Sequence, residues 1–372
     1  MGLALPSAHP ERDELARFLA RFPSPSGRQL AEAGYVAPHW PAPYGRGADP
    51  LSQLVIDDEL SRAGLTRPEN PIGIGWAGPT LLAAGSEAQK ERYLLPLLAG
   101  EELWCQLFSE PGAGSDLASL STRAVRDGDS YVVSGQKVWT SLAHRATFGI
   151  LLARTDPLAP KRHGITYLIC PMSSEGLTIR PIIDMTGSHS FNEVFIDEVR
   201  IPLENRVGEE NDGWRLAKVT LANERVSLSG EGALWGRGPT ARQLASAVRA
   251  GGHRLDPVAR DRLVRLYVEG EILSFLRQRS LSAALAGEAP GPEASVRKAL
   301  ADSHGQRLMD LGRDLLGPAG ALGPNLEDPL GPEYGYGFLF SPALTIGGGT
   351  AEVQRNIIAE RLLGLPRQDE AG

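Results

Sequence analysis

The sequence is poor in cysteine, histidine and long apolar runs, and each shortage excludes a class of protein. Among 372 residues there are 2 cysteines and 7 histidines. Cys105 and Cys170 lie far apart and form no CxxC pair, so neither a disulfide framework nor a zinc site is indicated. The histidines show no metal-ligand spacing, and we predict no metal site. No apolar run approaches the length that crosses a bilayer, so we expect no membrane span.

Charge and the first residues narrow the setting further. The formal net charge of -7 argues against broad binding to nucleic acid or to acidic membranes. Residues 1–14 lack a basic segment followed by an apolar one, so no signal peptide is predicted. A composition that is 42% hydrophobic and 22% charged is typical of a globular protein. We therefore expect a cytoplasmic protein.

The apolar pattern divides the chain into three regions. Residues 1–102 show helical spacing, residues 103–210 show short alternating runs between Gly, Pro and charged turns, and residues 211–372 return to helical spacing. No helical stretch interrupts the middle region, which favours an antiparallel sheet or small barrel over a βαβ fold. The predicted class is α+β, mostly α: an N-terminal helical domain, a middle antiparallel β domain and a C-terminal helical bundle. The C-terminal helices are predicted at about 213–236, 239–250, 256–286, 292–316 and 350–363.

Two stretches of the middle region have the residue types of a ligand-binding loop. Leu103 to Phe108 predicts a buried strand, and the glycines that follow Pro111, Gly114 among them, let a flat ligand approach the backbone. Ser109 and Ser115 can donate hydrogen bonds to such a ligand. About twenty residues on, another predicted strand ends in Trp-Thr-Ser at 139–141. Taken alone, each stretch is better explained as a loop beside a packed tryptophan.

Together, in this order and spacing, the two stretches resemble the flavin-binding signatures of the acyl-CoA dehydrogenase family. The resemblance covers nearly the whole chain. It implies an FAD cofactor and a thioester substrate, with Ser115 close to that substrate as well. The positions that match FAD-contacting residues of the family are Gln106, Phe108, Ser109, Gly114, Ser115, Trp139, Ser141, Thr350 and Glu352.

The resemblance also implies a glutamate base that removes the α-proton of the acyl group. Family members carry it either in a Tyr-Glu-Gly-Thr motif before the last helix or in a Glu-Arg pair on the first C-terminal helix. Here Gly348 occupies the first position, so Glu224, followed by Arg225, is the match. Helical spacing puts Glu224 on an apolar face with Ala217, where burial raises the pKa of a carboxylate toward neutrality. The alternative is a solvated glutamate beside an arginine.

Further residues would contact the substrate. The family resemblance implies that Arg225 lies near it and that the backbone N–H of Gly348 holds the thioester carbonyl, where charge develops. The alternative for Gly348 is a flexible glycine turn. Gly230, Gly232 and Gly236 are predicted to continue the Glu224 helix, either for close packing or to widen the acyl pocket for a bulky or ring-containing substrate.

Two segments depart from the family pattern. The Arg-x-x-Phe-Gly segment that grips the adenine end of FAD is absent from 247–253, and the Gln-x-x-Gly-Gly segment is reduced at 314–320. A homo-oligomer would repeat this weakness, whereas a paralogous partner in a heteromer could supply the missing contacts.

The sequence thus predicts an FAD-dependent acyl-CoA dehydrogenase that forms a trans-2-enoyl thioester and passes electrons to an electron-transfer flavoprotein. The acyl thioester would be carried by coenzyme A or an acyl carrier protein. Two alternatives remain: oxidase or monooxygenase chemistry on the same fold, and a non-catalytic partner subunit of a heteromeric acyl-CoA dehydrogenase.

Overall fold

The computed structural model describes residues 5–227, 232–252, 254–286, 291–322 and 330–366, with only the backbone of 224–227, 284 and 322. Internal contacts divide the chain into two compact units. The first unit is Met1–Asp184 with His189–Asn223, and the second is Met185–Ser188 with Glu224–Gly372. The three domain boundaries of the sequence analysis stay predictions.

The first unit begins with helices, as the apolar spacing predicts. Capping residues determine where several of them start: Ser26 and Ser86 each close a capping box, and Asp49 accepts a hydrogen bond from Ser52 N. The Pro-rich segment after His39 forms turns rather than a regular element, because its prolines forbid regular structure. The helices are α1 (Pro10–Arg21), α2 (Gly27–Glu32), α3 (Pro50–Arg62), α4 (Gly78–Ala84) and α5 (Glu87–Ala99).

The strands of the first unit join into one sheet. They are β1 (Trp104–Leu107), β2 (Arg123–Asp127), β3 (Ser130–Ser141), β4 (Phe148–Arg154), β5 (Ile165–Pro171), β6 (Leu177–Ile182), β7 (Phe191–Pro202) and β8 (Arg206–Val207). Their order is β6-β7-β3-β2-β4-β5-β8, and β1 pairs with β4.

The predicted α+β class is confirmed, and the sheet is mixed rather than purely antiparallel. Strand β4 runs parallel to β1 and to β2, while the other pairs are antiparallel. Strand β3 runs back between β2 and β4 in the chain, so β4 repeats the direction of β2.

Strand β4 is buried on both faces, which explains its unbroken apolar run. Ile150 and Leu152 belong to the core that also contains the N-terminal helices. Leu151 and Ala153 belong to a second core on the opposite face of the sheet. The strands that hold the candidate site therefore rest on packed apolar layers.

The next helix begins in the first unit, whose last residue is Asn223, and the helices after it lie in the second unit. Helix α6 (Gly213–Ser227) is followed, among the described residues, by α7 (Ala241–Ala250), α8 (Pro257–Leu285), α9 (Glu293–Asp314), α10 (Gly331–Phe340) and α11 (Ala351–Arg361). Among these residues, none of the helices is long and apolar enough to span a bilayer.

The predicted helix over 213–236 is wrong in its last part. Residues 232–238 form turns, with φ values of +108° at Gly232, +50° at Trp235 and +80° at Gly236. These values are incompatible with a right-handed helix, so Gly232 and Gly236 do not continue the Glu224 helix. Gly230 lies outside the described residues.

Candidate active site

The loop that follows β1 has a backbone edge open to a ligand. Glu110 and Ala113 exchange two backbone hydrogen bonds of 3.0 Å and so close a tight turn. Gly112 and Gly114 are exposed, and a methyl group at either position would meet no heavy atom within 4 Å. A flat ligand can therefore lie directly against this loop, as the sequence predicts. We call residues 106–116 and 137–141 together the ring stretch.

A buried ion pair joins the two parts of the ring stretch. Lys137 Nζ lies 2.8 Å from Glu110 Oε1, and the two side chains are 0% and 5% exposed. The same ammonium donates to the carbonyls of Phe108 at 3.1 Å and of Leu152 at 2.8 Å. All three donor hydrogens of Lys137 are thus used, and the loop is fixed to strands β3 and β4.

The Glu110 carboxylate is also well supplied with donors. It accepts from Ser121 N at 2.7 Å, from Ser121 Oγ at 2.8 Å and from Thr122 N at 2.8 Å. Burial by itself would raise the pKa of Glu110, but the Lys137 ammonium and these donors outweigh it and lower that pKa to about 2. Burial lowers the pKa of Lys137 to about 8, against the opposing influence of Glu110. We take the pair as ionised at neutral pH.

A bulge in β3 turns Trp139 outward. Lys137 is opposite Val194 on β7 and Thr140 is opposite Asn192, so β3 holds one residue more than its partner between these positions. Val138 N, inside the bulge, donates to Ser109 O at 2.9 Å. Trp139 has φ +60° and is 59% exposed. A bulky residue in this conformation is costly, and outliers of this kind cluster at functional sites.

The other predicted flavin contacts of the first unit also lie within the ring stretch. They differ in which of their atoms are available to a ligand. The hydroxyls of Ser109, Ser115 and Ser141 make no hydrogen bond within the described part of the protein. Gln106 is half-buried on β1. The Phe108 ring packs edge-on against Tyr167 in the core, with centroids 6.0 Å apart, and so leaves only its backbone for a ligand.

These observations fit the ring end of FAD. The exposed indole can stack on a flat ring. The three hydroxyls, which have no partner among the described residues, can bond to the polar edge of such a ring, and the two glycines let it approach the backbone. In the ranges that the structure describes, no group of three or more His, Cys, Asp or Glu could hold a metal ion.

The second unit contains a turn built from three glycines, 347–349, and Thr350, which we call the glycine turn. Gly348 and Gly349 have φ values of +67° and +93°, a conformation that side chains disfavour. The buried amide of Gln354 donates to both of their carbonyls at 3.2 Å. Thr350 then caps helix α11 by accepting from Val353 N at 3.3 Å. Thr350 is thus the N-cap of α11, and Glu352 is exposed in the first turn of that helix.

Trp235 packs against this turn. A methyl group at Gly347 would lie 2.6 Å from its Cζ2 atom, and its ring is edge-on to Phe340 at 5.3 Å and 87°. The indole Nε1 is buried without a partner among the described residues. The backbone of Glu224 and Arg225 lies in α6, but their side chains are outside the described part, so their roles stay predictions.

Sequence reasoning missed the ion pair, although a signal for it exists. Lys137 is in phase with Tyr131 and Val133, two inward-facing residues of β3, and a lysine at such a position needs a buried partner. Glu110, next to Pro111 at the end of a buried strand, is the candidate that this rule would have found.

Comparisons with known proteins agree with the resemblance. Sequence profiles of three acyl-CoA dehydrogenase domains match: the N-terminal domain over residues 7–101, the middle domain over 105–199 and the C-terminal domain over 211–363. Acyl-CoA dehydrogenase FadE34 of Mycobacterium tuberculosis is 48% identical over 91% of this chain, which spans 46% of FadE34. Acyl-CoA dehydrogenase IpdE1 of the same organism is 40% identical over 92% of this chain and 87% of IpdE1.

Solved structures share the whole fold. The Tcur3481-Tcur3483 steroid ACAD matches with a TM-score of 0.79 and 33% identity, covering 99% of this chain and 100% of that one. The ChsE4-ChsE5 complex from Mycobacterium tuberculosis matches with a TM-score of 0.77 and 33% identity over the same shares.

Proposed function

Because this chain belongs to the acyl-CoA dehydrogenase family, we propose that it is an FAD-dependent dehydrogenase that converts an acyl thioester to the trans-2-enoyl thioester. The observation that carries the proposal is the ring stretch, in which a buried ion pair and the Val138–Ser109 hydrogen bond join the two flavin signatures. FAD, when bound, would accept the hydride that leaves the β-carbon.

The residues of the chain then divide the remaining work. Glu224 takes the proton from the α-carbon as the carbon–carbon double bond forms. The N–H of Gly348 donates to the thioester carbonyl and stabilises the charge that develops on its oxygen. Arg225 lies next to the base and contacts the substrate. The residues proposed to hold FAD are Gln106, Phe108 through its backbone, Ser109, Gly114, Ser115, Trp139, Ser141, Thr350 and Glu352.

The substrate is proposed to be a bulky, ring-containing acyl-CoA. The name of one matching structure, a steroid ACAD, supports this class. Electrons would leave through an electron-transfer flavoprotein. Both cysteines are free thiols, as expected in a reducing cytoplasm.

Helix α8 supplies the proposed assembly surface. Four apolar side chains at helical spacing are 44–63% exposed along it: Val264, Val268, Ile272 and Phe275. We propose that a second family chain covers this stripe, as a copy of this chain or as a paralogue. The naming of one matching structure as a complex of two chains supports the paralogue.

The first experiment measures flavin content and mass of the purified protein, followed by anaerobic mixing with a steroid acyl-CoA. Bleaching of the flavin without oxygen consumption is the expected result. Turnover that requires oxygen would instead indicate an oxidase or monooxygenase. Flavin that binds only after co-expression with a related chain, without reduction that depends on Glu224, would indicate a non-catalytic subunit.

The Glu224→Gln variant tests the assignment of the base. An amide cannot accept the α-proton, so we expect flavin reduction to slow by roughly 10²-fold or more while FAD stays bound. Stopped-flow absorbance of the flavin measures this rate. Glu209→Gln, which changes an exposed carboxylate just before α6, is the matched control and should reduce at the wild-type rate. Near wild-type reduction by Glu224→Gln would contradict the assignment.

A further inference from the structure

One fully buried amide supports the bulge that displays Trp139. Asn192, on β7, has 0% of its surface exposed. Its Nδ2 atom donates to Thr140 O at 3.0 Å and lies 3.2 Å from His144 Nδ1. Because an amide nitrogen only donates, His144 Nδ1 is the acceptor and the ring proton is on Nε2. The carbonyl that Asn192 holds therefore lies between Trp139 and Ser141, two proposed contacts of the flavin ring.

The bulge needs such support because its backbone is strained. Trp139 and Leu142 both have left-handed φ values, +60° and +59°. Residues other than glycine keep this conformation only where their surroundings determine it. Inside the bulge, Val138 N donates to Ser109 O, and Asn192 Nδ2 donates to the carbonyl of Thr140, which follows Trp139. Phe191, the neighbour of Asn192, packs edge-on against Trp139 at 6.0 Å and 80°.

The local chemistry is not arranged for stability alone. Asn192 Oδ1 and Thr140 Oγ1 are both buried without a hydrogen-bond partner among the described residues. Unpaired buried oxygens destabilise a fold, and proteins retain them mainly where function requires the geometry. A valine and a leucine would fill these positions without that cost.

We propose that Asn192 is a positioning residue for the flavin: it holds Thr140 O and thereby sets how Trp139 and Ser141 meet the ring. This inference rests on the proposed function, because it requires that the ring stretch binds FAD. Asn192 contacts neither cofactor nor substrate and acts only through the bulge. Without it, Trp139 relaxes to an unstrained conformation and the ring loses one wall of its site.

A second buried asparagine, in the short turn between β7 and β8, provides the matched control. Asn205 Nδ2 donates to Ile169 O at 3.0 Å, its Oδ1 accepts from Tyr93 at 3.2 Å, and 7% of its surface is exposed. It belongs to neither part of the ring stretch. Asn192→Leu and Asn205→Leu therefore remove the same kind of side chain–backbone bond from similar burial.

The experiment compares wild type, Asn192→Leu and Asn205→Leu in three measurements. These are the FAD dissociation constant of the apoprotein, the visible circular dichroism of bound flavin and the melting temperature of the apoprotein. We expect Asn192→Leu to weaken FAD binding by about tenfold or more and to change the dichroism. We expect Asn205→Leu to lower the melting temperature at least as much while leaving both flavin measurements near wild type.

The outcomes separate the two proposals. If wild type binds no FAD under any condition, the proposed function fails first. If wild type binds FAD and the two variants affect it equally, Asn192 is an ordinary structural residue and the inference is wrong. Should Asn192→Leu not fold, Asn192→Ser, which leaves room for water at Thr140 O, replaces it under the same criteria.

Discussion

The ring stretch and the glycine turn are held in shape by opposite means. The ring stretch is held by charge and hydrogen bonds, with Lys137 and Glu110 at its centre. The glycine turn is held by conformations that only glycine adopts freely and by one amide, Gln354. The first therefore depends on keeping polar partners paired, and the second on keeping side chains out. Each mode has its own characteristic failure.

The largest effect is expected from breaking the charge of the ring stretch. Glu110→Gln leaves the Lys137 ammonium buried without its counter-ion, which costs about 3–5 kcal/mol of unfolding free energy. Asp127→Asn is the matched control, since the Asp127–Arg200 pair of 2.7 Å lies in the same sheet with side chains 59% and 63% exposed. That change should cost less than about 1 kcal/mol. Urea unfolding measures both, and equal losses would contradict the central role of the buried pair.

Acid should reveal the same pair without mutation. The pKa of Glu110 falls from its ordinary 4.5 to about 2 in the folded protein, so the stability it contributes is present above pH 4.5 and is lost as pH falls toward 2. Over that window, wild type should lose up to about 3 kcal/mol that Glu110→Gln does not lose. Unfolding at several pH values gives the difference. Parallel curves for the two proteins would contradict the lowered pKa.

The glycine turn should fail through crowding instead. Gly347→Ala places a methyl group 2.6 Å from Trp235, so the ring must shift, at a cost of roughly 1–3 kcal/mol. Gly114→Ala is the counterpart in the ring stretch, where the methyl group meets no atom. The apoprotein of Gly114→Ala should therefore keep its unfolding free energy, or gain about 0.4–1 kcal/mol, while its affinity for FAD falls. The melting temperature of each variant, measured without FAD and again with FAD added, tests both expectations.

The smallest effect concerns an unpaired hydroxyl beside the bulge. Thr140→Val removes a buried oxygen that has no partner in the described structure, so the unfolding free energy should stay within about 0.5 kcal/mol or rise. Thr220→Val removes a hydroxyl that lies 2.8 Å from that of Thr80 and 3.1 Å from that of Tyr167. It should cost roughly 1–3 kcal/mol. A large loss in Thr140→Val would mean that its hydroxyl has a partner when the protein is in solution.

Some of this structure could be predicted from the sequence, and some could not. The α+β class and most C-terminal helices follow from apolar spacing, and the resemblance located the ring stretch. Helix α10 was missed because the glycines of Gly331–Phe340 suggest a loop. Tertiary packing overrides that preference, since a methyl group at Gly337 would lie 2.2 Å from Met309. The turns after α6 were missed because apolar spacing carries no information about backbone conformation. It does not reveal the left-handed φ value of Trp235.

Site chemistry that depends on contacts far apart in the chain was the harder part. Glu110 and Lys137 are 27 residues apart, and Asn192 is 52 residues from Thr140, so no local pattern pairs them. The family resemblance named the residues that are expected to face a ligand, and it gave no information about those that hold them in place. The register of β3 against β7 brings Asn192 to Thr140, and the turn after β1 brings Glu110 to Lys137.

The outward position of Trp139 also makes the protein an optical reporter of its own cofactor. Of the 6 tryptophans, Trp139 is the one fully described side chain with more than half of its surface exposed, whereas Trp40 and Trp104 are 2% and 1% exposed. Iodide should therefore quench Trp139 emission in the apoprotein and leave the buried indoles bright. A flavin stacked on Trp139 would shield it from iodide and would also quench its emission by energy transfer. The loss of iodide-quenchable fluorescence during a titration with FAD therefore measures the fraction of chains that have FAD bound. This measurement needs no substrate.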